Sequence, residues 1–169
     1  ACELFVPGQR EELLARLGPD PLRPDADPGL AWHRIRRSRA PVAGLLMDQS
    51  VVAGIGNVYR AELLFRHRVD PFRPGSSLRE SRWRAMWDDL VGLMHDGVRV
   101  GVIDTVRDEH VTEEETRPDA QPQRRSYVYR RAGEPCRVCG TRVRTQELAG
   151  RNLYWCGRCQ PRFRSRAAG

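Results

Sequence analysis

The sequence predicts a mainly α-helical protein that ends in a small β-hairpin module. Three observations lead to this prediction. Apolar residues recur at helical spacing between Trp83 and Val98. An apolar stretch over residues 45–72 is interrupted by two glycines and an asparagine, which predicts two helices around a break. Near the C-terminus, two Cys-x2-Cys pairs flank two short runs of strand-forming residues.

The charge distribution is uneven along the chain. The 169-residue sequence carries a net charge of +7, and from Arg124 onward twelve arginines stand against two acidic residues. Such a basic region favours a polyanion, most often nucleic acid, although a solvated basic face accounts for it equally well. The sequence contains no lysine, so no lysine side chain is available as a Schiff-base nucleophile. It has neither an apolar run of about 18 residues nor a signal-peptide pattern, and we expect no membrane partner.

The N-terminal region predicts one short helix and a stiff connector. Leu13, Leu14 and Leu17 form the apolar stripe of this helix, and the Gly18-Pro19 pair ends it. Five prolines between residues 19 and 41 keep the connector extended.

A second helix is predicted to begin within the connector. Asp27 has the character of an N-cap, and Pro28 suits the first helical position. We expect this helix to bury Leu30 or Trp32 together with Ile35. Its exposed face would carry Arg34, Arg36 and Arg37.

The central stretch predicts one helix through residues 45–49 and another over residues 58–68. A longer helix follows, with Ser77 and Glu80 as a capping-box pair at its start. We expect its periodic apolar side chains to form core rather than a binding site; they are Trp83, Trp87, Leu90, Val91, Met94 and Val98.

Two segments lack such periodicity. Residues 104–125 are acidic and then rich in proline and glutamine, which predicts a mobile loop that includes His110 as an ordinary loop residue. Residues 164–169 are predicted to be a disordered tail.

The cysteine spacing predicts one structural zinc ion. Two strands are expected around Val143 and over residues 153–155, with Ala149 and Gly150 near the turn between them, so that a hairpin brings the cysteine pairs together. Two disulfides or a redox pair are the alternatives, and the disulfides do not suit a cytoplasmic protein. The four candidate ligands are Cys136, Cys139, Cys156 and Cys159.

The glycine-bearing break indicates a phosphate site. At the start of the following helix, unpaired backbone N–H groups carry the positive end of the helix dipole. Gly54 and Gly56 permit close approach and positive φ, and Asn57 offers a cap or a side-chain donor. An ordinary glycine-rich turn between helices is the alternative.

These motifs resemble a known family. The segment "LLMDQSVVAGIGNVYRAELLF" resembles the helix–two-turn–helix signature of the formamidopyrimidine-DNA glycosylase / endonuclease VIII family. The segment "VYRRAGEPCRVCGTRVRTQELAGRNLYWCGRCQ" resembles the C-terminal zinc finger of that family, and "ARLGPDPL" resembles its interdomain linker. The sequence "GRNLYWC" resembles the endonuclease VIII branch more than the formamidopyrimidine branch.

The resemblance assigns DNA contacts to two places in the chain. In the family, the asparagine of a Gly-Asn pair contacts the phosphate beside the lesion, which corresponds to Gly56 and Asn57. An arginine five residues before the third cysteine also contacts phosphate, and this position is Arg151. Phosphate contacts position a protein on DNA without reading its sequence.

The resemblance also implies a division of the chain. Residues 1–26 would be the end of a preceding domain and a linker, and residues 27–103 the helix–two-turn–helix DNA-binding domain. Residues 104–125 would be the loop, residues 126–163 the zinc finger and residues 164–169 the tail.

The catalytic end of the family is not recognised here. Family members begin with Pro-Glu, whose proline amine attacks the sugar, whereas this chain begins Ala1-Cys2-Glu3. We therefore assign no catalytic residue in this chain and do not transfer the glutamate role to Glu3.

The sequence thus indicates the DNA-binding C-terminal half of a base-excision-repair glycosylase and AP lyase, inactive alone. Its expected partners are double-stranded DNA with an oxidised base or abasic site and an N-terminal catalytic domain of the same protein. It would be monomeric and work on the nucleoid in the bacterial cytoplasm. Two alternatives remain open: a stand-alone zinc-containing DNA-binding regulator without catalysis, and a zinc-ribbon protein adaptor. The sequence does not discriminate an oxidised pyrimidine from 8-oxoguanine as the lesion.

Overall fold

The computed structural model describes residues 8–119 and 123–165. As predicted, the fold is mainly helical and carries one two-stranded antiparallel hairpin near the C-terminus. Among the described residues, no helix is long and apolar enough to cross a membrane. The elements are α1 (Gln9–Ala15), α2 (Pro28–Ile35), α3 (Val42–Leu45), α4 (Asn57–Arg66), α5 (Glu80–Val100), β1 (Arg144–Leu148) and β2 (Arg151–Trp155), with 3-10 turns at Gly75–Ser77, Asp108–His110 and Glu114–Thr116.

Three expectations lie partly outside the described residues. Residues 1–7 include the strand expected at the end of a preceding domain, and residues 120–122 belong to the loop expected between the modules. Residues 166–169 make up most of the expected tail.

The main core lies between α4 and α5. Trp83 is fully buried in α5, and its indole Nε1 donates a 2.9 Å hydrogen bond to the carbonyl of Pro28. Trp87, Leu90 and Met94 are buried as predicted, but Val98 is 69% exposed. The difference follows from length, because a helix of 21 residues is about 31 Å long and its last turn extends beyond the core.

The start of α2 is as predicted, but its buried face is different. Asp27 caps the helix by accepting a 2.7 Å hydrogen bond from the backbone N–H of Gly29. Ala31 and Ile35, four residues apart on one face, are fully buried, whereas Leu30 is 62% exposed. Trp32 is half-buried, and the three predicted arginines are exposed.

The helix α1 is present as predicted, and the leucines of its apolar stripe are exposed. Two other local predictions are wrong. The helix expected through residues 45–49 ends at Leu45, where the chain turns toward the break. Ser77 does not cap α5: its hydroxyl donates to the carbonyl of Pro74, and Arg79 is the N-cap residue.

The hairpin packs directly on the helical domain. β1 and β2 pair from Arg144↔Trp155 to Leu148↔Arg151, with Ala149 and Gly150 as the connecting turn. Both turn residues have positive φ, 55° and 70°, which suits the twist of a two-residue hairpin. Leu153 points into the main core and is fully buried. The finger is therefore held against α4 rather than tethered by a loop alone.

Candidate nucleic-acid interface and metal centre

The break before α4 is held in shape by one side chain. The Gln49 Oε1 atom accepts a 2.9 Å hydrogen bond from the N–H of Gly54, and its Nε2 donates to the carbonyl of Ile55 at 3.1 Å. Gly54 has φ of 81°, a conformation that side-chain-bearing residues rarely adopt. These hydrogen bonds of the turn are therefore made by residues within it. The backbone N–H groups at the start of α4 are not used to hold the turn.

The N-terminus of α4 presents an open backbone surface. Gly56 is the N-cap residue, and no described side chain caps the helix there. Its φ of −99° is ordinary, so only Gly54 bears out the expected positive φ. Gly56 is exposed, and a Cβ added to it would meet nothing within 4 Å. The first N–H groups of α4 are consequently accessible to an anion at the positive end of the helix dipole.

Asn57 joins the helix to the hairpin tip. Its Nδ2 donates a 2.9 Å hydrogen bond to the carbonyl of Asn152, in the second position of β2. An asparagine amide carries two N–H donors, so the second remains for a ligand. Arg151, the preceding residue, has an exposed side chain at the same end of the hairpin. The structure therefore brings together the two phosphate contacts predicted from separate motifs.

The buried side chain of Arg60 holds Asn57 and the hairpin together through hydrogen bonds. Its Nη2 donates to the Asn57 Oδ1 atom at 2.5 Å and to the carbonyl of Arg151 at 3.3 Å, and its Nη1 donates to the carbonyl of Leu148 at 2.9 Å. The side chain is fully buried, and its Nε has no hydrogen-bond partner among the described residues. Burial, together with the nearby charge of Arg151, lowers the pKa of Arg60 to about 10.

Glu62, two residues after Arg60 in α4, makes a second junction. It is fully buried, and its Oε1 accepts from the N–H groups of Val128 and Tyr129 at 2.8 and 2.9 Å. Its Oε2 accepts from the N–H of Tyr127 at 2.7 Å and from the Thr105 hydroxyl at 2.5 Å. One carboxylate thus fixes the chain segment that enters the zinc finger.

The four cysteines form one cluster. Their Sγ atoms all lie within 4.8 Å of one another. The Sγ atoms of Cys136 and Cys159 are 3.9 Å apart, and those of Cys139 and Cys156 are 3.4 Å apart. These separations exclude disulfides, whose sulfurs are about 2.05 Å apart. They fit a tetrahedral Zn–S4 centre, whose sulfurs are about 3.8 Å apart when each Zn–S bond is about 2.3 Å.

The thiols differ in their tendency to ionise. Burial raises the pKa of Cys136 and Cys159. Burial acts in the same direction at Cys139, but hydrogen bonds from Thr141, Cys156 and Cys159 together outweigh it and lower the pKa of Cys139 to about 6. Because zinc binds thiolates and brings four distant cysteines together, metal binding at such a centre is coupled to folding. The chain thus fits one structural zinc ion.

The sequence motifs did not reveal the residues that hold the modules together. Arg60, Glu62 and Gln160 are buried polar residues. Arg60 and Glu62 interrupt an apolar helix, which is a sequence signal, whereas Gln160 stands between Cys159 and Pro161 and carries no such signal. Gln160 accepts from the N–H of Cys156 and donates to the carbonyl of Val69, at 2.9 and 3.0 Å. It therefore ties the second cysteine pair to the helical domain.

Comparison with known families matches both modules. Residues 17–108 match the formamidopyrimidine-DNA glycosylase H2TH domain, and residues 133–162 match the zinc finger found in FPG and IleRS. Endonuclease 8 1 of Mycobacterium tuberculosis is 57% identical over 160 residues, covering 94% of this chain and 59% of that protein. The formamidopyrimidine-DNA glycosylase of Geobacillus kaustophilus is 39% identical over 152 residues, covering 89% and 54%. The higher identity fits the endonuclease VIII branch.

Solved structures give the same result. The MutM (FPG) protein of Thermus thermophilus superposes with a TM-score of 0.72 at 37% identity, covering 93% of this chain and 59% of that chain. Lactococcus lactis Fpg, in complex with DNA that contains an abasic site, superposes with a TM-score of 0.70 at 25% identity, covering 91% and 55%. This chain thus spans between 54% and 59% of the length of these four proteins.

Proposed function

The chain belongs to the formamidopyrimidine-DNA glycosylase / endonuclease VIII family, and we propose that it is the DNA-binding part of a base-excision-repair glycosylase and AP lyase. The whole protein removes oxidised bases from double-stranded DNA and nicks the strand. The observation that carries this proposal is the junction of Asn57 with the first residues of β2, which places an open helix N-terminus beside an exposed arginine.

The proposed interface binds one stretch of DNA backbone. The free N–H groups at the start of α4 and the second amide N–H of Asn57 bind phosphate oxygens, together with the guanidinium of Arg151. Gly56 contributes by leaving space beside the backbone. The complex of the Lactococcus lactis relative with DNA that contains an abasic site supports DNA as the ligand. Such contacts carry no base preference, which suits an enzyme that inspects every sequence.

The domain assignment follows the same division of labour. Residues 27–103 form the helical DNA-binding domain, residues 126–163 form the zinc finger that delivers Arg151, and residues 104–125 connect them. We further propose that the protein acts as a monomer on the bacterial nucleoid in the cytoplasm. The zinc ion serves structure here: it fixes the hairpin whose tip reaches the DNA.

Salt-dependent binding to a duplex with one abasic-site analogue tests the interface. Arg151→Ala removes a cation from the backbone and is expected to reduce the slope of log K against log salt by about 0.9. Asn57→Ala removes a neutral donor, so we expect roughly tenfold weaker binding with an unchanged slope. Asn57→Asp keeps the acceptor for Arg60 but places a negative charge at the site, and its affinity should fall further.

Arg84→Ala is the charge-matched control. Arg84 is exposed on α5 and pairs with Glu80, near the end of α5 that approaches the C-terminal end of α4. It should retain wild-type affinity and slope. Wild-type binding by both Asn57→Ala and Arg151→Ala would contradict the proposed interface.

We propose in addition that the base-removal step does not take place on this chain alone. The absence of lysine leaves an α-amino group as the amine able to form an imine. Borohydride trapping on an abasic duplex, with binding measured in parallel, should give binding without a covalent adduct. A trapped adduct would show that this chain supplies the nucleophile itself.

A further inference from the structure

A pocket borders the cysteine cluster, at the C-terminal end of α4. Its volume is about 290 Å³, close to the lower limit for small-ligand sites and suited to one or two side chains. Its lining includes two aromatic rings, one exposed valine and three arginines, namely Phe65, Tyr127, Val138, Arg68, Arg107 and Arg158.

The wall of the pocket is rich in arginine, and the acidic residues Asp108 and Glu109 follow Arg107 in the chain. Arg107 and Arg158 make no ion pair within the described part of the chain, and Arg68 uses its Nε for a long 3.4 Å hydrogen bond to the carbonyl of Cys159. Arg66 is different, because Asp89 neutralises it through two hydrogen bonds of 2.7 and 2.8 Å. None of the described residues that line the pocket is acidic.

The floor of the pocket is apolar and rigid. The rings of Phe65 and Tyr127 stack with centroids 4.6 Å apart. The Tyr127 hydroxyl is fixed by the Arg107 N–H at 2.9 Å and by the His110 Nδ1 atom at 2.8 Å. Val138, between the candidate ligands Cys136 and Cys139, is 49% exposed at the edge of the pocket. A partner side chain could therefore bury apolar surface here without rearranging the floor.

The pocket is remote from the proposed DNA interface. α4 has ten residues and is about 15 Å long, and Asn57 lies at its first position while Phe65 lies near its last. In the finger, the hairpin tip forms a hydrogen bond with Asn57, whereas the residues around the cysteines pack against Phe65. The pocket can therefore be occupied while DNA is bound at the other end.

From this combination we infer that the pocket is a docking site for an acidic segment of a partner protein. Carboxylates of the segment pair with Arg68, Arg107 and Arg158, and one of its large apolar side chains enters between Val138 and the stacked rings. The charge of the wall excludes a basic or neutral segment, and the small apolar floor selects against a purely polyanionic one.

Fluorescence anisotropy with a labelled hexapeptide, Asp-Asp-Asp-Asp-Leu-Phe, tests this inference on the 169-residue chain. We expect saturable binding that the peptide Asp-Asp-Asp-Asp-Gly-Gly does not reproduce. The double variant Arg107→Glu/Arg158→Glu should bind at least tenfold more weakly, while Arg84→Glu should bind as the wild type does. Zinc content and thermal unfolding, measured on each variant, establish that it is folded.

Two further measurements locate the site. Backbone amide shifts on peptide addition should centre on Val138 and Tyr127, and an abasic duplex should not displace the peptide. The inference is wrong if the Leu-Phe peptide fails to bind at millimolar concentration or binds no better than the Gly-Gly peptide. It is also wrong if the shifts centre on the hairpin tip or if the duplex competes, since the pocket would then belong to the DNA surface.

Discussion

The side-chain amide of Asn57 donates a 2.9 Å hydrogen bond to the carbonyl of Asn152, 95 residues further along the chain. This bond joins the first residue of α4 to the tip of the zinc-finger hairpin. The two phosphate contacts of the proposed interface therefore belong to one rigid junction rather than to two independent modules. Anything that shifts the hairpin relative to α4 should weaken DNA binding even when it touches neither contact.

Arg60→Met tests the rigidity of this junction. The variant retains an apolar chain but loses the hydrogen bonds to Asn57 and to two hairpin carbonyls. It also removes a buried charge whose pKa is lowered to about 10 by burial and by Arg151. Because these effects oppose each other, we expect the free energy of unfolding to change by only about 1 kcal/mol. Affinity for an abasic duplex, measured by titration, should nevertheless fall roughly tenfold.

The matched control is Arg82→Met, which removes one hydrogen bond to the carbonyl of His67 near the other end of α4. It should leave DNA affinity unchanged. Equal affinity for Arg60→Met and wild type would show that the hairpin stays in place without Arg60.

The elements that could be predicted from sequence were those specified by local rules. Asp27-Pro28 fixed the start of α2, and the Cys-x2-Cys spacing predicted a metal site that the clustered sulfurs fit. Failures occurred where tertiary contacts decide. Ser77 satisfies the cap pattern, yet Arg73 and the Pro74 carbonyl engage its hydroxyl instead.

That the start of α4 and the hairpin tip form one site could not be derived from the physical properties of the sequence alone. The break before α4 and the hairpin tip each suggested a phosphate contact, but their proximity depends on Arg60 and Glu62. Arg60 forms hydrogen bonds to residues 88 to 91 positions further along the chain. Glu62 forms hydrogen bonds to residues 43 to 67 positions further along. No local periodicity encodes such a contact. The sequence feature that comes closest to indicating such a contact is a charged residue within an apolar helix. Helical spacing shows that this residue is buried only when the buried face of the helix is already known.

Glu62→Gln should detach the finger from α4. The carboxylate accepts four hydrogen bonds, and an amide in its place offers one oxygen and turns an NH2 group toward backbone N–H donors. Since buried unpaired groups cost about 1–3 kcal/mol each, we expect a loss of about 2–4 kcal/mol in chemical denaturation. Glu80→Gln, at an exposed i,i+4 pair on α5, should cost less than about 0.5 kcal/mol. A wild-type midpoint for Glu62→Gln would contradict the anchoring role.

Removal of zinc should unfold the finger before the helical domain. The cysteine cluster holds the base of the hairpin, whereas α4 and α5 share an apolar core of their own. Hydrogen exchange after chelation is expected to show lost protection over residues 126–163, with retained protection in α5. Loss of the hairpin also removes the partner of Asn57, so DNA affinity should fall in parallel. Retained protection of residues 126–163 in metal-free protein would show that zinc is not required for this module to fold.

The ion pair between Glu115, in the segment before the finger, and Arg137 should stabilise the fold at neutral pH but not in acid. The Arg137 guanidinium makes two hydrogen bonds of 2.9 and 3.1 Å to Glu115. These bonds, with one from the backbone N–H of Thr112, lower the pKa of Glu115 from 4.5 to about 2. A carboxylate whose pKa is lower in the folded than in the unfolded protein stabilises the fold above the unfolded pKa. That contribution is lost as the pH falls from 4.5 toward 2.

Glu115→Gln should therefore be less stable than wild type at neutral pH, and the difference should shrink between pH 4.5 and pH 2. Thermal unfolding at a series of pH values measures it, with Arg137→Met and the double variant completing a cycle. Because Arg137 lies next to Cys136, zinc content is measured at each pH, and only pH values at which both proteins retain the metal enter the comparison. In the Arg137→Met background, Glu115→Gln should change stability little at any pH. A pH-independent difference between wild type and Glu115→Gln would mean that Glu115 acts through packing rather than through its charge.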